Sequence, residues 1–206
     1  MKPLIILLIF LITSFSFQSK TSSEIASIKI GTQIWTTQNL DVTTFRNGDK
    51  IPEIESPTEF YQAGLKGKAA WCYYNGDAVN GKKYGRLYNW YAVHDSRGLA
   101  PQGWHLPTDK EWIILTDYLG GETVAGKKMK SVIGWDGDNS SGFNAVPEGS
   151  SDGGRCEGLG TNGEFWTATE YSSGLARSRG ILTGSSQSFR GNDDEPFGFS
   201  VRCVKD

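Results

Sequence analysis

The sequence is poor in cysteine and histidine, with three and two of them in a chain of 206 residues. Cys72, Cys156 and Cys203 form no Cys-x-x-Cys pair, and the two histidines are not spaced as paired ligands, so a zinc site has no support. So few cysteines also exclude a disulfide-dense scaffold, and the hydrophobic core must supply the stability. The odd number leaves at least one thiol unpaired within the chain.

Signatures of nucleophilic catalysis are missing as well. The sequence has no Gly-x-Ser-x-Gly motif, and a Ser–His–Asp site needs a base beside its nucleophile. His94 lies on the apolar side of a predicted helical segment, and His105 stands beside Trp104. Structural roles are therefore favoured for both imidazoles.

The chain also lacks a basic stripe. Its 21 basic and 23 acidic residues give a net charge of −2, and both signs are mixed along the sequence. Nucleic acid is therefore a poor partner.

Only one long apolar run is present, and it lies at the N-terminus. Lys2 precedes apolar residues 3–17, and Ser14 and Ser16 place small side chains around a cleavage site, which is typical of a secretory signal peptide. At about 15 residues the run is shorter than the roughly 20 that span a bilayer. No cysteine lies near its exit, which argues against a lipoprotein.

We therefore predict a signal peptide over residues 1–19, a polar leader over 20–26 and a single domain over 27–206. That domain is expected to be secreted or periplasmic, without stable membrane insertion after cleavage. An uncleaved membrane anchor is the alternative.

Glycine and aromatic residues are abundant. The chain has 26 glycines, seven tryptophans and an aromatic share of 12%, which indicates many turns with positive φ and few helices. A tryptophan in such a chain is either a core residue or a ligand platform.

The first half of the domain mixes short elements with loops. A hairpin is predicted over 27–37, with its turn at Gly31-Thr32, followed by irregular chain over 39–57 and a loop with at most one helical turn over 56–68. A buried strand over 69–74 and a surface loop over 75–83 come next. The last element of this half is a helix over 85–95.

The clearest helix begins at Thr108, where Glu111 three residues later completes a capping box, and it ends at Gly120. A short basic helix is predicted over 122–130. Four strands follow, over 164–169, 176–182, 186–190 and 199–204, with Phe199, Val201 and Cys203 on one face of the last. The fold class is therefore α+β.

Several blocks resemble one known family over the whole predicted domain. They are IGTQIWTTQNLD (30–41), FRNGDKIP (45–52), WCYYNGD (71–77), YGRLYNWYAV (84–93), GWHLPTDKEW (103–112), SGFNAVPEG (141–149), FWTATEY (165–171) and GFSVRCVKD (198–206). In this order they resemble the Fibrobacter succinogenes major paralogous domain. That family occurs mostly in exported proteins of Gram-negative bacteria and its role is largely uncharacterised, so the resemblance implies fold and location more than function.

A more distant likeness concerns the fold. YNW (88–90), WHLPTDKEW (104–112) and GFSVR (198–202) resemble formylglycine-generating, sulfatase-modifying domains. This implies a C-type-lectin-like fold, with two helices packed on short antiparallel sheets, long Gly-rich loops and termini paired side by side. The Arg-Gly-Gly-Ser-Trp block and the paired late cysteines of those enzymes are missing, so their copper-dependent oxidation is not expected.

One departure from the family concerns the cysteines. The family usually has Cys before its Pro-x-Gly-Trp-His stretch, where this chain has Ala100. The resemblance thus leaves Cys203 without its usual partner. Either Cys156 replaces that partner in a disulfide with Cys203, or Cys203 is a free thiol buried as a small apolar residue.

Two oxygen-rich clusters are candidate calcium sites, and calcium is the one cofactor that the sequence suggests. Asp136 and Asp138 lie at alternate positions, and Asp193, Asp194 and Glu195 lie just before the last strand. In C-type lectins an Asn–Asp pair near this second place binds calcium and sugar. Ordinary solvated acidic turns are the alternative.

Candidate ligand-binding residues are polar or aromatic side chains of the loops over 131–196, namely Trp135, Asn139, Tyr171, Arg190 and Asn192. Trp135 leads because it lies in a Gly/Asp loop, whereas the other six tryptophans are predicted to be core residues. The arginines that alternate through the last strands, Arg177, Arg179, Arg190 and Arg202, are expected to form exposed salt bridges with residues 193–195, each adding little stability.

Three functional hypotheses remain. The first is a non-enzymatic binding module that recognises a glycan or a surface protein through loops 131–196. The second is a glycan-active enzyme with loop carboxylates as acid and base, which two such carboxylates, one raised pKa and an aromatic floor would favour. The third is a structural envelope component, favoured if no concave polar pocket exists.

Overall fold

A computed structural model describes residues 25–206. The predicted signal peptide and most of the polar leader lie outside these described residues. The strands are β1 Ser27–Ile30, β2 Gln33–Thr36, β3 Trp71–Cys72, β4 Leu87–Asn89, β5 Trp104–His105, β6 Ser150–Asp152, β7 Arg155–Glu157, β8 Asn162–Ser172, β9 Leu175–Leu182, β10 Ser188–Asp194, β11 Gly198–Phe199 and β12 Val204–Lys205. The helices are α1 Pro57–Leu65, α2 Ala78–Tyr84, α3 Trp90–Val93, α4 Asp109–Tyr118 and α5 Glu122–Met129.

The strands form three antiparallel sheets, which confirms the α+β class. Their orders are β1-β2-β12-β5, β10-β9-β8 and β3-β4-β11-β6-β7. β12, near the C-terminus, pairs with β2 through Val204 and Trp35. The two ends of the described chain therefore lie side by side in one sheet.

Three sequence predictions are confirmed in detail. The β1–β2 hairpin turns at Gly31, which has φ of 61°. In α4 the Thr108 side chain accepts from the Glu111 backbone N–H, and the Glu111 carboxylate accepts from Thr108 N at 2.8 Å. This reciprocal capping box satisfies two N–H groups that a helix start would leave unpaired. α5 follows where a short basic helix is predicted.

Two predicted loops are helices instead. Ser56 caps α1 by accepting from Glu59 N, and Phe60 of α1 is fully buried, so packing compensates for weak helical spacing. Asp77 caps α2 through Val79 N. In α2, Gly81 lies so close to the Tyr73 ring that a Cβ would be 2.1 Å from it, and glycine therefore allows this helix to pack.

Two further elements differ from the predictions. Residues 85–95 form β4 followed by the short α3, since β4 is buried and paired with both β3 and β11. The last predicted strand is divided into β11 and β12, with residues 200–203 between them irregular and entirely buried. Ser200 and Arg202 are buried as fully as Phe199, Val201 and Cys203, so both sides of this segment lie in the interior.

Six tryptophans are core residues, as predicted: Trp35, Trp71, Trp90, Trp104, Trp112 and Trp166. Trp35 and Trp112 meet edge to face at 4.9 Å between ring centroids, and Phe143 packs on both. Aromatic pairs in this arrangement add to the stabilisation from burial alone.

Arg202 lies at the centre of the fold, with no exposed surface. Its Nη1 donates to the carbonyl oxygens of Thr36 at 2.9 Å and Phe143 at 2.7 Å. Its Nε donates to Asn39 Oδ1 at 2.7 Å, and its Nη2 donates to the Asn144 carbonyl at 3.0 Å. The predicted exposed salt bridge of Arg202 is therefore wrong, because its buried donors bind the end of β2, Asn39 and the loop at residues 143–144.

Arg202→Met retains much of the side-chain volume but removes every donor. We expect it to lower the free energy of unfolding by more than about 3 kcal/mol, because each buried acceptor left unpaired costs about 1–3 kcal/mol. Urea unfolding measures this. Arg155→Met is the control, since Arg155 is an exposed partner of Glu157 and its loss should change little. If Arg202→Met and wild type unfolded at the same urea concentration, the role assigned to Arg202 would be contradicted.

All three cysteines are free thiols. Cys203 is buried beside β12, where its N–H donates to Thr36 Oγ1. Cys156 lies in β7 of another sheet, opposite Ser151, and its Sγ accepts from Asn75 N at 3.2 Å. Of the two alternatives for Cys203, the structure has the free buried thiol, because Cys203 precedes β12 in one sheet and Cys156 lies in β7 of another.

Burial raises the pKa of the thiol of Cys203 to about 12 and also raises that of Cys72. Because the thiolate is the reactive form, both should resist a thiol reagent in the native protein. We expect only partly buried Cys156 to react, slowly, in native buffer and all three to react in denaturant. Absorbance of a chromogenic disulfide reagent counts the thiols, and rapid native reaction of two or three of them would contradict this arrangement.

Candidate functional site

The first proposed calcium cluster is held by protein partners. Asp136 accepts from the Nζ of buried Lys130 at 2.5 Å and from Gly184 N at 2.7 Å. Asp138 accepts from Ser140 N at 2.9 Å within a tight turn. Both carboxylates therefore stabilise local structure.

The second cluster lies elsewhere. Asp136 contacts the turn after Leu182, whereas Asp193 is paired with Ala176 at the far end of the β9–β10 ladder. The pair Asp193–Ala176 is five residue pairs along the ladder from the pair Ser188–Ile181 next to this turn, which is roughly 17 Å at the usual rise of a strand. Over residues 25–206 no group of three or more His, Cys, Asp or Glu side chains could hold a metal ion. The five predicted calcium ligands are thus not brought together.

Trp135 is packed rather than presented as an open platform. Its indole N–H donates to Thr183 Oγ1 at 2.8 Å, and its ring edge lies against Gly163. Asn139 supports the same region, since its Oδ1 accepts from Asn144 N at 2.9 Å. These two predicted binding residues stabilise the loop over 131–146.

Tyr171 and Asn192 do meet, through Arg177. The guanidinium of Arg177 stacks 4.2 Å from the centre of the Tyr171 ring and donates to Asn192 Oδ1 at 2.6 Å. This trio forms a small exposed surface.

Arg190 belongs to an ion network behind the β8–β9–β10 sheet, in which Arg179 and Asp109 are buried and Arg190 reaches the surface. Arg190 and the fully buried Arg179 both donate to Asp109 at the start of α4, and Arg179 also donates to Glu122 of α5. Burial opposes ionisation of Asp109, but the two guanidinium groups hold the pKa of its carboxyl below the usual range. The expected exposed pairs with residues 193–195 are therefore wrong, because these arginines fasten the helices to the sheet.

The opposite face of this sheet carries an acidic groove. Glu164 of β8, Ser178 and Gly180 of β9 and Gly191 and Asp193 of β10 lie on this face because side chains alternate along each strand. A Cβ at Gly180 would lie 2.8 Å from a Glu164 oxygen, and one at Gly191 would lie 3.0 Å from an Asp193 oxygen. The two glycines thus give the carboxyl groups room to lie across the sheet.

Two adjoining pockets make up this acidic groove. One of about 160 Å³ is lined by Phe189 beside Glu164 and Asp193. The other, of about 150 Å³, shares both carboxyl groups and adds Asp152 and Phe197. The groove is therefore concave, and it combines carboxyl groups with aromatic side chains.

The carboxyl groups in the acidic groove are unusually easy to protonate. Burial, followed by the negative charges of Asp193 and Asp152, raises the pKa of Glu164 to about 8. Burial raises the pKa of Asp193 too, against the opposing hydrogen bond from Ser178. The pKa of Asp152 is raised by burial and by the negative charge of neighbouring Glu157. Burial and repulsion within one site thus favour the neutral forms.

A fourth carboxyl group lies beneath the groove. Glu148 is 1% exposed and neither of its oxygens has a hydrogen-bond partner. Burial raises its pKa well above the usual value, although the positive charge of Arg202 opposes this. Glu148 is therefore affected both by the negative charge of Glu164 in the groove and by the positive charge of buried Arg202.

Sequence reasoning missed most of this groove. Asp193 was singled out only as a calcium ligand, and Glu164 lies inside a predicted strand. The signal was the small side chain at every second position of β9, at Ala176, Ser178 and Gly180. Small residues on one face of a strand mark the close approach of another group.

Glu164 makes stability depend on pH. Its pKa is about 8 in the folded protein, whereas the ordinary value is 4.5. The stabilisation of the folded state by the protonated Glu164 is therefore fully present below pH 4.5 and is lost as the pH rises through 8. Glu164→Gln should flatten this fall and raise the Tm above wild type at pH 8. Thermal unfolding across this range checks it, with Glu170→Gln as an exposed control on the same strand. If the Tm of Glu164→Gln fell with pH as steeply as that of wild type, the raised pKa of Glu164 would be contradicted.

Sequence comparison identifies the family of the chain. The family model of the Fibrobacter succinogenes major domain matches residues 28–205. Neither the curated proteins nor the solved structures provide a match. Since the match covers all but the ends of the described chain, the protein belongs to the Fibrobacter succinogenes major domain family.

Proposed function

We propose that the protein is an exported binding module that recognises a glycan through the acidic groove. The observation that carries this proposal is a concave site in which two shared carboxyl groups lie between aromatic side chains. The groove is built from residues 150–199, largely within the region that the sequence suggests for binding. Its presence counts against a purely structural role.

The chemistry of the groove suits hydroxyl groups. A neutral carboxyl group can both donate and accept a hydrogen bond, and a carboxylate can accept two or more. Ser178 and Ser150 already bond Asp193 and Asp152, which orients these acceptors. The rings of Phe189 and Phe197 offer apolar surface to the carbon side of a sugar.

Location and fold belong to the same proposal. The N-terminal charge, apolar run and small residues support export, and a binding groove suits a protein that meets ligands outside the cytoplasm. The side-by-side pairing of β2 with β12 supports a C-type-lectin-like arrangement, in which helices and short sheets carry long loops. No helix over residues 25–206 has the length and apolar character needed to cross a membrane.

A second function, glycan hydrolysis, is favoured by one observation. Glu164, with its pKa of about 8, shares the groove with Asp193 and Asp152, and a neutral acid beside other carboxyl groups is the pairing that glycoside cleavage uses. Release of reducing sugar from oligosaccharides, lost in Glu164→Gln, would establish this function. Binding without any release would leave the binding module.

Phe189→Ala and Asp193→Asn should each weaken binding of a glycan found by array screening by about tenfold or more, or about 1.4 kcal/mol. Isothermal calorimetry on the purified protein measures this. Tyr171→Ala is the matched control, because Tyr171 is an aromatic residue exposed outside the groove. Loss of binding in Tyr171→Ala with none in Phe189→Ala would place recognition on the Tyr171–Arg177–Asn192 surface and contradict the proposal.

A further inference from the structure

Two carboxyl groups of the acidic groove, Glu164 and Asp193, have no positively charged partner within residues 25–206. No Lys or Arg is among the described residues that line either pocket. Nearby Arg155 is paired with Glu157, and Arg179 and Arg190 point to Asp109 on the other face of the sheet. The donors that do reach these carboxyl groups are neutral hydroxyls, from Ser178 and Ser150.

Glu164 shows most clearly that a partner is lacking. Its side chain is partly buried, lines both pockets and receives no hydrogen bond from any described residue. A partly buried carboxyl group that no protein donor occupies is free to accept a hydrogen bond from a ligand. The carboxyl group therefore faces the position where a donor would bind.

The residues around Glu164 and Asp193 indicate what kind of donor would bind there. Aromatic residues bound the carboxyl groups on two sides, Phe189 in one pocket and Phe197 in the other. Carboxyl groups beside aromatic faces attract an organic cation, through charge and through the electron-rich ring. A metal ion would require converging ligands, and no group of three or more is present among the described residues. An ammonium group needs only two or three acceptors.

Size restricts the ligand further. Each pocket has a volume of about 150–160 Å³, smaller than the roughly 300 Å³ or more of sites that enclose a whole drug-sized molecule. One charged group with its adjoining ring or chain suits this space. Glu164 and Asp193 border both pockets, so a cation between the pockets would reach both carboxyl groups.

We propose that the acidic groove binds a primary ammonium group, held between Glu164 and Asp193 beside Phe189. This inference rests on the proposed glycan function and narrows the glycan to one that carries free amino groups. The amino sugar supplies the donors that Glu164 lacks, and its ring lies against the aromatic wall. Binding also favours the ionised carboxylate, so uptake of the ligand releases a proton from Glu164.

The experiment compares ligands that differ only in their amino groups. A glucosamine trisaccharide and its fully N-acetylated counterpart are titrated calorimetrically into wild type, at mildly acidic pH and in two buffers of different protonation enthalpy. We expect the free amine to bind at least about tenfold more tightly, or about 1.4 kcal/mol. Its heat should depend on the buffer, because proton release is part of binding.

Two variants test the carboxyl groups. Glu164→Gln and Asp193→Asn should each remove the preference for the free amine, and Glu164→Gln should also remove the proton release. Glu170→Gln, exposed on the same strand, should behave as wild type. Thermal unfolding confirms that each variant is folded, and Asp193→Asn tests the site by itself if Glu164→Gln does not fold.

The outcomes separate the two proposals. Equal binding of both trisaccharides would overturn the ammonium site and leave glycan recognition standing. A lysine tripeptide forms a third arm: if it alone binds, and Glu164→Gln abolishes that binding, the ammonium site stands and the glycan function falls. Binding of none of the three would overturn both.

Discussion

The buried guanidinium of Arg202 is the interaction on which the rest of this fold depends. It joins the end of β2, the segment at Asn39 and the loop at residues 143–144, none of which is held together by a long strand ladder. Loops expose backbone carbonyls that must be paired when buried, and one planar side chain with five donors serves several at once. A Gly-rich chain with short strands can therefore bury its loop carbonyls without a disulfide.

The two faces of the β8–β9–β10 sheet differ in whether their charged groups are paired. Toward the helices, Arg179 and Arg190 neutralise Asp109 and Glu122, and the result is a fixed structural joint. Toward the groove, Glu164 and Asp193 lie over glycines and have no basic neighbour. Alternation along three strands is enough to separate these environments, so one sheet supports both the stability of the fold and the candidate site.

Local signals made part of this structure predictable. The capping box at Thr108 and the hairpin at Gly31 depend on neighbouring residues alone, and both are confirmed. α1 and α2 escaped prediction because burial of Phe60 and the fit of Gly81 against Tyr73 involve distant parts of the chain. The candidate site was harder still. Glu164 and Asp193 come together only through pairing of β8, β9 and β10, and Asp152 joins them from another sheet. The direction in which each arginine points is likewise decided by tertiary contacts.

The position of β12 has a consequence for how the chain reaches its native state. β12 lies between β2 and β5, so the four-stranded sheet is incomplete until the last residues arrive. A chain that emerges N-terminus first forms the β1–β2 hairpin early, yet Trp35 then waits for partners about 170 residues away. Contacts of such long range slow folding and leave an unpaired strand edge open to other chains. Formation of β12 thus completes this sheet, and removal of residues 202–206 would take away Arg202, the inner strand and the buried side chains of Cys203 and Val204 together.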